Sequence, residues 1–114
     1  MTTMYGIPNC DTIKKAKKWL EANDIAFQFH DYRKDGVDAD WLEQAAEALG
    51  WENLLNKRGT TYRQLSEEQK AGMDQTKALA LLREYPAMIK RPVLEHNSSL
   101  HLGFKPGQYE DIFS

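Results

Sequence analysis

Cysteine is almost absent from this sequence: 114 residues include one, Cys10. A single cysteine excludes an internal disulfide, and an oxidising compartment would favour paired cysteines. The longest apolar run covers only residues 78–82, far short of the roughly 20 that a bilayer requires. The first nine residues also lack the basic start and apolar core of a secretory signal. These absences together predict a cytosolic protein.

A surplus of basic charge is also missing. The formal net charge is -2 and the pI is about 5.9, so no global positive field favours nucleic acid or an anionic membrane. We therefore expect neither partner. With 41% hydrophobic residues, a chain of this size buries roughly two-thirds of its unfolded surface. The composition predicts one domain over residues 1–114, and we expect a monomer.

The first third of the sequence has the pattern of a strand, a helix and a second strand. Residues 2–7 favour a strand, which Pro8 ends. Ile13, Ala16 and Leu20 then recur at helical spacing. Residues 25–29 alternate apolar and polar side chains, as a half-buried strand does. A strand-helix-strand unit predicts a parallel pair of strands with a right-handed crossover.

The rest of the sequence predicts a helical block and a final hairpin. Asp40 is the predicted cap of a helix that ends at Gly50, and Ser66 with Gln69 forms a capping box. Two short strands after Arg91 and a helix opened by Pro106 follow. The resulting prediction is an α/β protein with a thioredoxin-like fold, a mixed sheet, and a helical insertion at about residues 38–85.

Cys10 stands where the first strand gives way to the first helix. Unpaired N–H groups and the positive end of a helix favour a thiolate over a thiol. Lys14, one turn further on, adds to this effect, and Asp11 opposes it. The alternative is a buried cysteine that acts as a small hydrophobic residue. The turn before Cys10 and the later Pro92, at the start of another strand, favour a reactive thiol.

Three motifs resemble one known family over essentially the whole chain. They are YGIPNCDTIKKA near the start, NKRGTTYRQL at residues 56–65, and IKRPVL at residues 89–94. In this order they resemble the arsenate reductase (ArsC) family, within its Spx/YffB-like branch and nearest to the YffB proteins. The resemblance implies a thioredoxin-like fold with a helical insert and a nucleophilic cysteine at Cys10. It also implies a cis peptide bond before Pro92.

The resemblance further implies an oxyanion site around the cysteine. Arsenate reductases hold the oxyanion with three arginines; Arg91 matches one of them, Arg58 matches a second only approximately, and Lys105 stands at the third position. A lysine keeps the charge but loses the planar fork that binds an oxyanion through two contacts. Arsenate turnover is therefore not expected. The predicted catalytic residues are Cys10 and Arg91, and the predicted substrate-binding residues are Arg58, Lys105, Pro92, Asn9 and Lys14.

Two other groups of residues have simpler interpretations. His30, His96 and His101 lack ligand-like spacing with Cys10, so we expect no metal site. The four lysines of the first helix would attract an anionic partner, but a solvated helix face is the interpretation favoured by the sequence alone.

Two functions remain open at this point. The first is a thiol-dependent reductase that binds no cofactor and uses glutathione as co-substrate, with a glutaredoxin as a further candidate partner. The second is a non-catalytic regulator of the Spx type that binds RNA polymerase. Such regulators carry a Cys-x-x-Cys switch, whereas this chain has Ile13 at the second cysteine position. This difference favours the reductase.

Overall fold

The computed structural model of the protein describes residues 2–8 and 10–114. Contacts divide the chain into two compact units, one formed by residues up to Gly36 with Arg91–Ser114, the other by Val37–Lys90. In the described residues no helix has the length and apolar character needed to cross a membrane. The elements in chain order are β1 (Thr2–Gly6), α1 (Asp11–Ala22), β2 (Gln28–Asp31), α2 (Tyr32–Asp35), α3 (Ala39–Leu49), α4 (Trp51–Leu54), α5 (Thr60–Arg63), α6 (Glu67–Lys70), α7 (Gln75–Glu84), a 3₁₀ helix (Pro86–Met88), β3 (Val93–His96), β4 (Ser99–Leu102) and α8 (Pro106–Phe113).

The sheet of the first unit has the strand order β2-β1-β3-β4. Strands β1 and β2 are parallel, with Thr3 opposite Gln28. Strand β3 is antiparallel to both β1 and β4. The mixed sheet of a thioredoxin-like α/β fold is therefore confirmed.

The core of the first unit lies between the sheet and two helices. Met4 of β1 is opposite Leu94 of β3, and both side chains are completely buried. Fully burying an apolar side chain of this size stabilises the fold by about 1.5–3 kcal/mol. The helical periodicity identified the inward face of α1 correctly, because the cluster contains Met4, Leu94, Ile13, Ala16, Leu20 and Tyr109.

The second strand starts later than the sequence pattern predicts. Alternation indicated a strand from residue 25, but β2 begins at Gln28. Its partner β1 is short, and the parallel register opposes Gln28 to Thr3. Ile25 instead donates its N–H to Leu20 at the end of α1. Ile25 and Phe27 still pack against the core, which explains the apolar alternation.

The second unit is helical, and its helix caps agree with the sequence-based predictions with one exception. Asp38, rather than Asp40, caps α3 by accepting a hydrogen bond from the N–H of Trp41 at 2.9 Å. The predicted cap was wrong because the helix already begins at Ala39, two residues earlier in the chain than that assignment requires. Gly50 ends α3 with a φ of 89°, and Ser66 with Gln69 forms the predicted capping box.

Gly6 lies where β1 passes over the first turn of α1, and its missing side chain is a packing requirement. A Cβ atom there would stand 2.5 Å from Cδ1 of Ile13, and because Ile13 is completely buried, its side chain could shift only by repacking against the core.

We expect Gly6→Ala to lower the free energy of unfolding by about 1–3 kcal/mol, the usual cost of overpacking. Gly107→Ala is the matched control, because nothing lies within 4 Å of the added carbon. That change, in α8, should be neutral or stabilising by up to about 1 kcal/mol. Urea unfolding of the two variants measures both effects, and equal stabilities would contradict the packing account.

Candidate functional site

Three chain segments meet at one edge of the sheet. The parallel strands β1 and β2 end there, at Gly6 and Asp31. Strand β3 is antiparallel to β1 and begins there, at Val93. The residues that follow β1 and β2 therefore lie close to those that precede β3. Cys10, Tyr32 and Arg91 come from these three segments.

Cys10 is the N-cap residue of α1, with an extended backbone at φ -94° and ψ 130°. Its N–H donates to the carbonyl of Ile7 at 3.3 Å, and its carbonyl accepts from the N–H of Lys14 at 3.0 Å. These two hydrogen bonds fix the turn that raises the cysteine out of the strand. The side chain is half-buried and packs against the edge of the core. The sulfur therefore lies at the positive end of a 12-residue helix.

The surroundings of the sulfur favour its charged form. Burial raises the pKa of Cys10, but a hydrogen bond from the Arg91 side chain, the amides of Ile13 and Thr12, and the Arg91 charge outweigh it. The net effect is a pKa below the ordinary value of a thiol. Neither amide makes a full capping hydrogen bond to the side chain, so Arg91 is the main partner. The contact creates the electropositive, partly exposed environment in which thiolates are nucleophilic.

Arg91 is held in place by its neighbours in the sheet. It is half-buried, and its Cβ lies so near β1 that a side chain at Gly6 would contact it at 3.6 Å. The peptide bond between Arg91 and Pro92 is cis, which confirms the geometry that the resemblance implied. The guanidinium thus approaches Cys10 from the start of β3, while the helix amides approach it from α1.

Tyr32 is a neighbour of Arg91 that the sequence patterns did not predict. Its side chain is almost completely buried. Burial raises the pKa of its hydroxyl far above the ordinary value, Tyr5 adds to this rise, and the charge of Arg91 opposes it. The raised pKa favours the neutral hydroxyl, which lies within electrostatic reach of Arg91. The signal was available: a residue that follows a strand parallel to β1 must lie at the same edge as Cys10.

Three of the predicted binding residues that the structure describes, Lys14, Pro92 and Lys105, lie in the same unit as Cys10. Lys14 is exposed on the first turn of α1. Lys105 is exposed at the N-cap of α8, and Gly103, two residues before it, donates its N–H to the carbonyl of Pro92 at 2.8 Å. The segment that carries Lys105 is thus tied to the residue after Arg91. A direct role for Lys14, Lys105 or Pro92 in substrate binding stays a prediction.

The remaining predicted residues are Arg58 and Asn9. Arg58 belongs to the helical unit, where it is exposed and its N–H donates to Oδ1 of Asn56 at 3.1 Å. Its place in the site stays a prediction. Asn9 lies outside the described residues. Among residues 2–8 and 10–114, no group of three or more metal-binding side chains is close enough to hold a metal ion.

A half-buried cysteine at a helix start, paired with an arginine before a cis-proline, agrees with the family comparison. The family model for the ArsC family matches residues 5–112. The chain belongs to the ArsC family. An uncharacterized protein of Haemophilus influenzae is 46% identical over 114 residues, which is 100% of both chains.

Solved structures of ArsC relatives share the fold. A YffB protein superposes with a TM-score of 0.97 at 44% identity, covering 100% of both chains. An arsenate reductase (ArsC) related protein from Brucella melitensis has a TM-score of 0.79 and 49% identity, covering 99% of this chain and 94% of its own.

Regulators are among the ArsC relatives as well. The global transcriptional regulator Spx of Lactiplantibacillus plantarum is 24% identical over 91% of this chain and 80% of its own. The relatives of this ArsC chain therefore include both reductase-related proteins and regulators.

We expect Arg91→Ala to raise the pKa of Cys10 toward the roughly 8.5 of a free thiol, because it removes both the hydrogen bond and the charge that favour the thiolate. Arg91→Lys should give a smaller rise, since the charge remains and the planar fork is lost. Thiolate absorbance followed against pH gives each midpoint. Alkylation of the wild type should begin at lower pH than alkylation of Arg91→Ala, because the thiolate forms above the lowered pKa. Coincident titrations of the three proteins would refute the role of Arg91.

Proposed function

We propose that this ArsC protein is a thiol-dependent reductase that uses the Cys10 thiolate as nucleophile and glutathione as co-substrate. The observation that carries the proposal is the contact of Arg91 with the sulfur of Cys10, which lowers the pKa of a half-buried cysteine at a helix start. A purely structural cysteine has no need of a cation beside it. The proposed enzyme binds no cofactor and acts in the cytoplasm.

The chemistry of the proposed reaction follows from the number of sulfur atoms. The Cys10 thiolate attacks one sulfur of an oxidised substrate; a new S–S bond forms, the old bond breaks, and the departing thiolate takes a proton from water. The chain has no second cysteine, so an external thiol must break the adduct. The glutathione thiolate then attacks the substrate sulfur that is bound to Cys10; the bond to Cys10 breaks, a disulfide forms between glutathione and that substrate group, and Cys10 leaves as a thiolate that Arg91 stabilises.

Glutathione suits the charges near Cys10. It carries two carboxylates, and Arg91, Lys105 and Lys14 are cations in the same unit as the nucleophile. Charge-assisted hydrogen bonds from such groups are the stronger kind. Arg58 is the further cation that the family motif supplies. A glutaredoxin, which also carries a reactive thiol, is the protein counterpart of glutathione in this scheme.

A regulator of the Spx type is the second candidate function. The similarity to Spx over most of the chain favours it. However, Ile13, at the position of the second cysteine in the Spx switch, is completely buried in the core. This chain would therefore lack the intramolecular switch, and the reductase is the better supported function.

The first test of the reductase proposal is adduct formation. Oxidised glutathione should convert the wild-type protein to a single glutathionyl adduct at Cys10, with no adduct on Cys10→Ser. Excess reduced glutathione or a glutaredoxin should reverse the modification. Intact-mass spectrometry over a range of pH measures both steps.

The adduct test needs a folded and reduced protein, which circular dichroism and a thiol assay establish beforehand. Arg91→Ala is the informative control, because it keeps the cysteine but should react more slowly at low pH. If the folded, reduced wild type formed no adduct at any pH, the glutathione mechanism would be wrong and the regulator would take its place.

The second test concerns oxyanions. Because Lys105 lacks the fork of an arginine, we expect weak sulfate or arsenate binding and little arsenate reduction by the wild type. Lys105→Arg should strengthen oxyanion binding, and Arg91→Ala should weaken it. NMR titration with sulfate or arsenate measures the affinities. Efficient arsenate turnover by the wild type would show that Lys105 is no obstacle.

A further inference from the structure

Helix α1 carries a net positive charge, whereas the rest of the chain is net negative. The helix contains four lysines and two acidic residues, a net charge of +2 in a chain whose formal net charge is -2. All other residues together therefore carry a net charge of -4. Lys14, Lys15 and Lys18 are exposed, and we call these three residues the lysine face.

The lysine face borders a surface groove. The groove has a volume of about 510 Å³ and is lined by Asp11, Lys14, Lys15, Lys17, Lys18 and Glu21. Lys17 lies at its flank, with Nζ 3.7 Å from the centre of the Phe29 ring. Positive charge is thus gathered around a concave surface, where it attracts an anionic ligand more strongly than isolated lysines do.

The lysine face and the nucleophile share one helix. An α-helix rises about 1.5 Å and turns about 100° per residue. Lys14 and Lys18 are therefore roughly 6 and 12 Å along the axis from Cys10, and roughly 40° and 80° around it. A standard protein interface buries about 800 Å² on each partner, which is a patch roughly 30 Å across. One partner is large enough to cover the lysine face and reach the sulfur of Cys10.

We propose that the lysine face docks the acidic surface of a protein that carries a nucleophilic thiol, and that this thiol resolves the disulfide formed at Cys10. This inference rests on the proposed reductase function. The charges favour a protein over a nucleic acid, because Asp11 in the first turn of α1 and Glu21 in its last turn also line the groove and would repel a long polyanion. A nucleic acid also supplies no thiol, and a chain with one cysteine needs one.

The docked reaction is a balanced thiol–disulfide exchange. The thiolate of the partner attacks the sulfur bound to Cys10, the bond to Cys10 breaks, and a disulfide forms between the partner and the departing group. Cys10 leaves as a thiolate, and the proton of the partner's thiol goes to water. The partner's cysteine is oxidised to a disulfide and Cys10 is reduced, so no further oxidant is required.

The test uses a mixed disulfide between Cys10 and an aromatic thiol that is coloured when released. An activated aromatic disulfide forms it with any accessible thiolate, so the test does not depend on a glutathione adduct. Release of the coloured thiol is followed with a glutaredoxin of negative net charge and, separately, with uncharged β-mercaptoethanol. The variant is Lys15→Glu/Lys18→Glu, which leaves Lys14 and Arg91 unchanged. The matched control is Arg63→Glu/Arg83→Glu, which reverses two exposed charges of the helical unit.

We expect Lys15→Glu/Lys18→Glu to slow release by the acidic glutaredoxin about tenfold or more at low ionic strength. Release by β-mercaptoethanol should stay within about twofold, and the control should match the wild type in both reactions. Salt near 1 M, where the Debye length is about 3 Å, should abolish the difference. If the variant folds poorly, Lys15→Gln/Lys18→Gln provides a milder change in the same direction.

Each outcome decides between the two proposals. Equal rates for the variant, the control and the wild type with the acidic glutaredoxin would overturn the docking surface, even where oxidised glutathione still forms an adduct. A slow variant in a protein that forms no glutathione adduct would retain the docking surface and reject the glutathione mechanism. If the control variant also released the coloured thiol more slowly, the effect of charge would be general, and the proposal that the lysine face is the docking site would be overturned.

Discussion

The contact between the guanidinium of Arg91 and the sulfur of Cys10 is the interaction on which the proposed chemistry depends. Burial of the sulfur opposes the thiolate, so the helix start must be supplemented by a nearby cation. Arg91 provides it because β3 begins at the same edge at which β1 ends. Residues from two distant parts of the chain thus meet only when the sheet has formed. The lowered pKa of Cys10 is therefore a property of the folded first unit.

The close approach of α1 to the sheet is the packing condition for this contact. Gly6 leaves room for the side chain of Ile13, and Arg91 lies on the same small area of β1. A larger residue at that point would press on Ile13, in the helix turn that presents Cys10, and would lie in contact with Cβ of Arg91. The glycine thus serves the site indirectly, since it leaves room for the Ile13 side chain in the helix turn that follows Cys10.

Local patterns in the sequence predicted local features of the fold well. The spacing of Ile13, Ala16 and Leu20 identified the buried face of α1 because a helix repeats every 3.6 residues. Features that depend on pairing between distant segments were beyond such patterns. The start of β2 at Gln28 follows from its register with β1, and Tyr32 enters the site only because that strand is parallel to β1. The contact of Arg91 with Cys10 was suggested by the family resemblance and not by any periodicity.

The first turn of α1 also supports the proposal that an external thiol resolves an adduct at Cys10. Ile13, the third residue after Cys10, is completely buried beneath β1. Its side chain packs in the core, and its backbone N–H lowers the pKa of Cys10. A cysteine at that position would replace one of the largest fully buried side chains of the unit, and the core would lose its packing. The next turns of the helix are free of this demand, since Lys14, Lys15 and Lys18 point to solvent. One face of α1 thus packs in the core and stabilises the fold, whereas the opposite face, beside Cys10, is exposed and available for a partner.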